Sequence, residues 1–227
     1  MTDVWMGWGL HGARALAGMA DVVVVVDVLS FSTCVDVACA RGAFIVACAP
    51  DDVPRRVDRV AVSRTAVTQA EPYSLSPASL RDIEAGTRLA LPSPNGSAIT
   101  AACGGIYAQV FAGCLRNATA VAQATRGRVA VIAAGERWPD RSLRPAVEDL
   151  IGAGAVINAL EGVRSVDAEI AEAAFVHARG DLARSLHECE SGRELIDLGF
   201  AEDVELASEL NVSRCVPRLR DGAFAAD

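Results

Sequence analysis

The chain predicts an α/β layered fold with a largely parallel sheet. Three observations carry this. Apolar strand-like runs and helix-like segments alternate from Val22 to Leu160. One run, Val22–Val26, is five consecutive valines, too short for a membrane span and too uniformly apolar for a half-solvated strand. A second β-type run, Arg128–Ala134, ends at Gly135-Glu136 much as the first ends at Asp27. The two endings suggest two similar halves.

In chain order, Val4–Leu10 reads as the first strand and Arg14–Ala20 as a short helix or turn. Val22–Asp27 is the buried strand, and Cys34–Arg41 is a helix stopped by Gly42. Ala43–Ala49 is a strand, and Asp51–Val57, with Pro54 in its first turn, reads as a helix start. Ser63–Leu80 loses apolar periodicity and reads as a long loop. Ser79–Ala85 follows as a helix, Arg88–Leu91 as a strand and Ala98–Cys103 as a helix after the turn residues Pro92–Ser97. Ile106–Ala112 is a strand and Asn117–Thr125 a helix. Pro145–Leu160 is a strong helix with Val147, Leu150, Ile151, Val156 and Ile157 at helical spacing. Ser165–Leu210 is mostly helical, and Val212–Val216 reads as a terminal strand. Residues 1–217 then form a single unit, with halves at about 1–115 and 116–217. The tail 218–227 carries no pattern and reads as mobile.

Composition excludes several classes. No stretch of about 18 apolar residues exists, despite 52% apolar content and a mean hydropathy of +0.28, so no membrane partner is expected. No leader segment is read at the N-terminus. The seven cysteines lack Cys-x-x-Cys spacing and read as reduced core residues of a cytoplasmic protein. A net charge of −8 argues against nucleic acid as a partner. Every basic residue other than histidine is arginine, which excludes a Schiff-base lysine and a Walker-type phosphate loop. Three scattered histidines make a His-rich zinc site unsuitable. A metal, if held, would be held by carboxylates, which suits Mg²⁺.

Polar residues cluster where strands end or helices begin. They are Asp27 with Ser30, Ser32 and Thr33; Asn95-Gly96-Ser97; Asn117; Glu136 with Glu148-Asp149; and Ser191-Gly192-Arg193 with Asp203. Singly, each suits a cap, a turn or a helix dipole. Together, carboxylates at strand ends with arginine as the fixed cation suit a Mg²⁺-dependent reaction on a phosphorylated anion. Asp27 is placed to bind metal or to attack phosphorus, and both roles stay open. The haloacid-dehalogenase pattern is excluded, because its second Asp would fall at Leu29. No Gly-x-Ser-x-Gly elbow and no dinucleotide fingerprint occur.

The chain resembles the 2-phosphosulfolactate phosphatase family. The matching blocks are Val26–Thr33 with Arg41-Gly42-Ala43, Asn95-Gly96-Ser97, Asn117-Ala118, and Glu148-Asp149 with Ala153-Gly154. They continue through Ser191–Leu195, Gly199–Val204 and Val216-Pro217. The resemblance implies a three-layer α/β/α fold of two similar, intertwined halves. It also implies a Mg²⁺-dependent phosphatase that cleaves 2-phospho-3-sulfolactate to sulfolactate and phosphate in coenzyme M biosynthesis. On this reading Asp27, Glu148 and Asp149 are the catalytic and metal-binding candidates. Ser32, Thr33, Arg64, Asn95, Gly96, Ser97, Asn117, Ser191 and Arg193 would contact substrate, and Glu136 and Asp203 would support them. The sequence departs from the family at Ser30 and Phe31, where Arg and Ala are usual, and at Ser63, which replaces a Glu before Arg64. These changes motivate the alternative of a non-catalytic member that binds a small anion or serves as an assembly partner. A homodimer is compatible with either.

Overall fold

The computed structural model describes residues 3–104 and 108–227. The valine run forms β2 (Val22–Val26), after β1 (Val4–Trp8) and α1 (Gly9–Leu16). All five valines are buried. Val22, Val24 and Val26 enter one core, and Val23 and Val25 enter another on the opposite face. Period-two alternation therefore serves two apolar layers at once. Full burial of a valine is worth ~1.5–3 kcal/mol, so this strand anchors the fold.

The chain continues through α2 (Phe31–Ala40), β3 (Phe44–Cys48), β4 (Arg59–Val60), β5 (Arg88–Pro92) and α3 (Gly96–Cys103). After these come β6 (Gln109–Gly113), α4 (Ala118–Ala124), β7 (Val129–Ala133), β8 (Glu136–Arg137), β9 (Leu143–Arg144) and α5 (Val147–Ala159). The remainder is α6 (Val166–Ala178), α7 (Leu182–Glu188), α8 (Glu190–Asp197), α9 (Ala201–Ser208), β10 (Pro217–Arg220) and β11 (Ala223–Ala226). Nine strands join in the order β1-β7-β2-β6-β10-β11-β3-β5-β4, and β8 pairs with β9 separately. Pairings within β1-β7-β2-β6 and within β3-β5-β4 are parallel. Among the described residues of the nine-stranded sheet, only the β10–β11 hairpin is antiparallel to its neighbours. Residues from α4, α5 and α6 pack on one face, including Val121, Ile151 and Phe175. Residues from α1, α2 and α3 pack on the other, including Ala13, Val35 and Ile99. The fold is a mixed α/β structure of helices on both faces of a mostly parallel sheet.

Four expectations need correction. The tail 218–227 is β10 and β11, placed between β6 and β3 in the middle of the sheet. Its Phe224 is fully buried and packs edge-on against Phe31, with ring centroids 6.1 Å apart. Residues 212–216 are irregular, and the strand starts at Pro217. Residues 51–57 form no helix, since Pro54 and the surrounding acidic and basic residues have no apolar face to bury. Ser79–Ala85 contributes only a 3₁₀ turn over Ala78–Leu80. The loop 63–80 is as irregular as expected, apart from short turns and a bridge between Val62 and Ser74. Of the strand expected over Ile106–Ala112, Ile106 and Tyr107 lie outside the described residues.

Candidate active site

Asp27 follows the last valine of β2 and is 7% exposed. One carboxylate oxygen accepts the Phe31 N–H at 3.1 Å, and the other accepts the Gly96 N–H at 3.1 Å. The first residues of α2 and α3 therefore aim their free N–H groups at one carboxylate, which is what helix N-termini do for anions. Gly96 is required here, because a Cβ would overlap the Phe31 ring. The rest of the turn ties itself down. Ser32 Oγ accepts the Asp27 N–H at 3.1 Å and donates to the Val25 carbonyl at 2.9 Å. Thr33 Oγ1 donates to the Val28 carbonyl at 2.8 Å.

Asp149, in the first turn of α5, accepts the Val28 N–H at 2.7 Å and the Gly135 N–H at 2.8 Å. One side chain thus joins the segments leaving β2 and β7. Glu148 beside it is buried, with the Cys189 thiol as a hydrogen-bond partner of its carboxylate. Glu136, at the start of β8, accepts Asn95 Nδ2 at 3.0 Å, and Asn95 Oδ1 accepts Arg137 Nε at 3.0 Å.

These acids raise one another's proton affinity. Burial pushes Asp27 up to about 7, helped by the charge of Glu136 and, less, of Glu148. Burial also raises Asp149 well above the usual carboxylate range, with Asp27 and Glu148 adding to it. Glu136 is also raised by burial, against the donation from Asn95 and the pull of Arg144. The result is a buried knot of carboxylates short of positive charge.

Arg64 is the cation that faces it. Its Nε donates to Asp203 at 3.2 Å and its Nη2 to Ser30 Oγ at 2.5 Å, with the guanidinium 5.7 Å from the Phe200 ring centroid. Asp203 also accepts Ser76 Oγ at 2.6 Å and the Ala78 N–H at 3.3 Å. Its burial and its donors fix Arg64 in place. Two of the five guanidinium N–H donors are committed, leaving three for a ligand. Between these groups lies a cleft of about 250 Å³, whose lining includes Asp27, Ser30, Arg64, Asn95, Glu136 and Ser191.

Asp27, Arg64, Asn95, Glu136 and Ser191 therefore meet at one cleft, with Asp149, Glu148 and Asp203 around it. Ser32 and Thr33 stand beside it with their hydroxyls turned to the backbone. Gly96 reaches it only through its N–H to Asp27. Three expected substrate contacts are placed elsewhere. Ser97 Oγ donates to the Leu91 carbonyl. The Asn117 side chain is spent on the backbone of Cys114, Ala112 and Cys215, as a short polar side chain at a turn commonly is. Arg193 is exposed on α8, outside the cleft lining. The residue overlooked in the sequence is Arg144, whose Nη2 lies 3.4 Å from Ser191 Oγ. Its position just before the acidic first turn of α5 was the available signal.

Carboxylate oxygens are the donors a hard divalent cation takes. Among the described residues no three His, Cys, Asp or Glu side chains form a ready-made metal-binding group. Asp27 and Asp149 each have both oxygens engaged by backbone N–H groups, so Glu136, which accepts only from Asn95, and Glu148 keep more of their lone pairs free.

The family model described as 2-phosphosulpholactate phosphatase matches residues 12–222. Over 140 residues the chain is 34% identical to 2-phosphosulfolactate phosphatase of Methanothermobacter thermautotrophicus, and the match covers 60% of this chain and 58% of that relative. The matched family region holds every residue of the cleft from Asp27 to Asp203, and this chain belongs to the 2-phosphosulpholactate phosphatase family.

Proposed function

We propose that this chain is a Mg²⁺-dependent phosphatase of a small phosphorylated 2-hydroxy acid, with 2-phospho-3-sulfolactate as the substrate. The observation that carries this is the buried Asp27 carboxylate, held by two helix N-termini and facing Arg64 across the cleft. Family membership and the similarity to a 2-phosphosulfolactate phosphatase support the substrate class. Phosphoryl transfer needs positioning and charge neutralisation more than covalent machinery.

Arg64, with its three uncommitted donors, grips phosphoryl oxygens, and Asp203 and Ser76 keep it aimed. Asp149 holds the β2 and β7 ends together so that Asp27 stays at the cleft. Asp27 and Glu148, with Glu136 beside them, are the residues that would hold Mg²⁺. A cation held by these carboxylates would supply charge neutralisation at the phosphoryl group and would relieve the repulsion among them. The buried walls formed by Leu29 and Leu195 exclude water from one side of the cleft and strengthen each of these interactions.

Phosphate release from 2-phosphosulfolactate, phospholactate and phosphoglycolate, with and without Mg²⁺, tests this reading. Release is expected from phosphosulfolactate in preference to the others, and only with the metal. Saturable binding without release from any of the three would identify the non-catalytic member instead.

A further inference from the structure

Arg144 stands behind the cleft, beside two of the residues that line it, and the proposed mechanism makes no use of it. It sits in β9, directly before α5, and is 7% exposed. Its guanidinium lies 5.8 Å from the Trp138 ring centroid. Its Nη1 pairs with Glu190 at 2.8 Å. Its Nη2 reaches Glu194 at 3.5 Å and Ser191 Oγ at 3.4 Å. Ser191 and Glu194 both line the cleft. A buried guanidinium therefore stands directly behind the cleft wall, with its Nη2 toward the two wall side chains Ser191 and Glu194.

The asymmetry of these pairs is informative. Arg144 is buried, whereas the Glu190 and Glu194 side chains are 58% and 59% exposed. An exposed carboxylate returns to water at little cost, so such pairs exchange easily. A buried arginine cannot do without an anion in the same way. An oxyanion entering the cleft would meet an oriented planar donor set and displace only a solvated competitor.

We propose that Arg144 and Ser191 form a second oxyanion subsite, and that Glu194 occupies it until substrate arrives. This rests on the reading that a polyanionic hydroxy acid enters the cleft. The phosphoryl group lies toward Asp27 and Arg64, and a carboxylate or sulfonate elsewhere on the same molecule takes the Arg144 position. Substrates carrying only the phosphoryl charge leave this subsite to Glu194, so the subsite selects for a second anion.

The test is titration calorimetry with sulfolactate, lactate and isethionate on the wild-type chain, Arg144→Ala and Glu194→Gln. Arg144→Ala is expected to weaken sulfolactate tenfold or more, and Glu194→Gln to tighten it several-fold by removing the competitor. If lactate responds in the same way, the carboxylate is the group bound; if isethionate does, it is the sulfonate. Should Arg144→Ala fail to fold, Arg144→Lys replaces it. Glu194→Gln, a change to an exposed side chain, still decides the question. Sulfolactate affinities equal within twofold across the variants, or no sulfolactate binding by wild type, overturn the subsite. The readout is binding, not turnover. A chain that hydrolyses nothing can therefore still show the subsite, and an active phosphatase indifferent to both changes would lose it.

Discussion

Asp27 combines two demands that oppose each other. Two backbone N–H groups hold its charged form, while burial and Glu136 oppose that charge and lift it from 3.8 to about 7. A carboxyl whose folded value lies above its unfolded value binds its proton more tightly when folded. From this source, stability is greatest below about pH 4 and falls as pH rises through about 7. The cost at higher pH is on the order of a few kcal/mol. Thermal melts of metal-free protein should show Tm falling over that interval. Asp27→Asn should raise Tm at pH 8 by several degrees and flatten the dependence. A wild-type Tm that climbs from pH 4 to 7 would show that the knot of acids is not charged as described. Asp203 invites a different measurement at this scale. It touches the cleft only through Arg64, so Asp203→Asn should raise KM about tenfold while leaving kcat less affected, as steady-state kinetics would show.

Elements differ in how plainly the chain announces them. β2 and β7 were legible because both faces are apolar, and α5 because its apolar residues recur at helical spacing. β10 and β11 were not. Pro217–Arg220 alternates leucine with arginine over too short a span, and Ala223–Ala226 is mostly alanine. The readable signal was the turn between them, Asp221-Gly222, with φ of +49° and +78°. Asp-Gly in this conformation marks a two-residue hairpin matched to strand twist. Phe224 gives the hairpin its stabilising contact, on Phe31 directly after the Asp27 turn. Phe224→Ala should cost roughly 3–5 kcal/mol in denaturant unfolding. It should also lower activity, because α2 loses support where it donates to Asp27. A loss under 1 kcal/mol would mean that the hairpin is only an edge to the sheet.

Across the whole molecule, the cleft gathers groups that are far apart in sequence. Asp27 meets Gly96, Asp149 meets Val28, and Arg64 meets Asp203. Residue types and their positions at strand ends were readable; which face each side chain takes was not. Ser97 and Asn117 look identical in sequence to cleft-facing polar residues, yet the place each takes at its helix start gives its side chain to the backbone. Arg193 and Arg144 make the same point in reverse, since burial of an arginine depends on elements that pack later. The gathered charge would also govern the proposed metal binding. Because the carboxylates must ionise to bind a cation, Mg²⁺ should raise Tm clearly at pH 8 and little at pH 5. Equal shifts at both would place the cation away from these acids.

Phosphate release from 2-phosphosulfolactate in the presence of Mg²⁺, comparing wild type with Asp27→Asn at matched folded fraction, reaches the centre of the proposal. A loss of at least a hundredfold in kcat is expected when that one carboxylate becomes an amide. Turnover within twofold of wild type would contradict a reaction centred on Asp27.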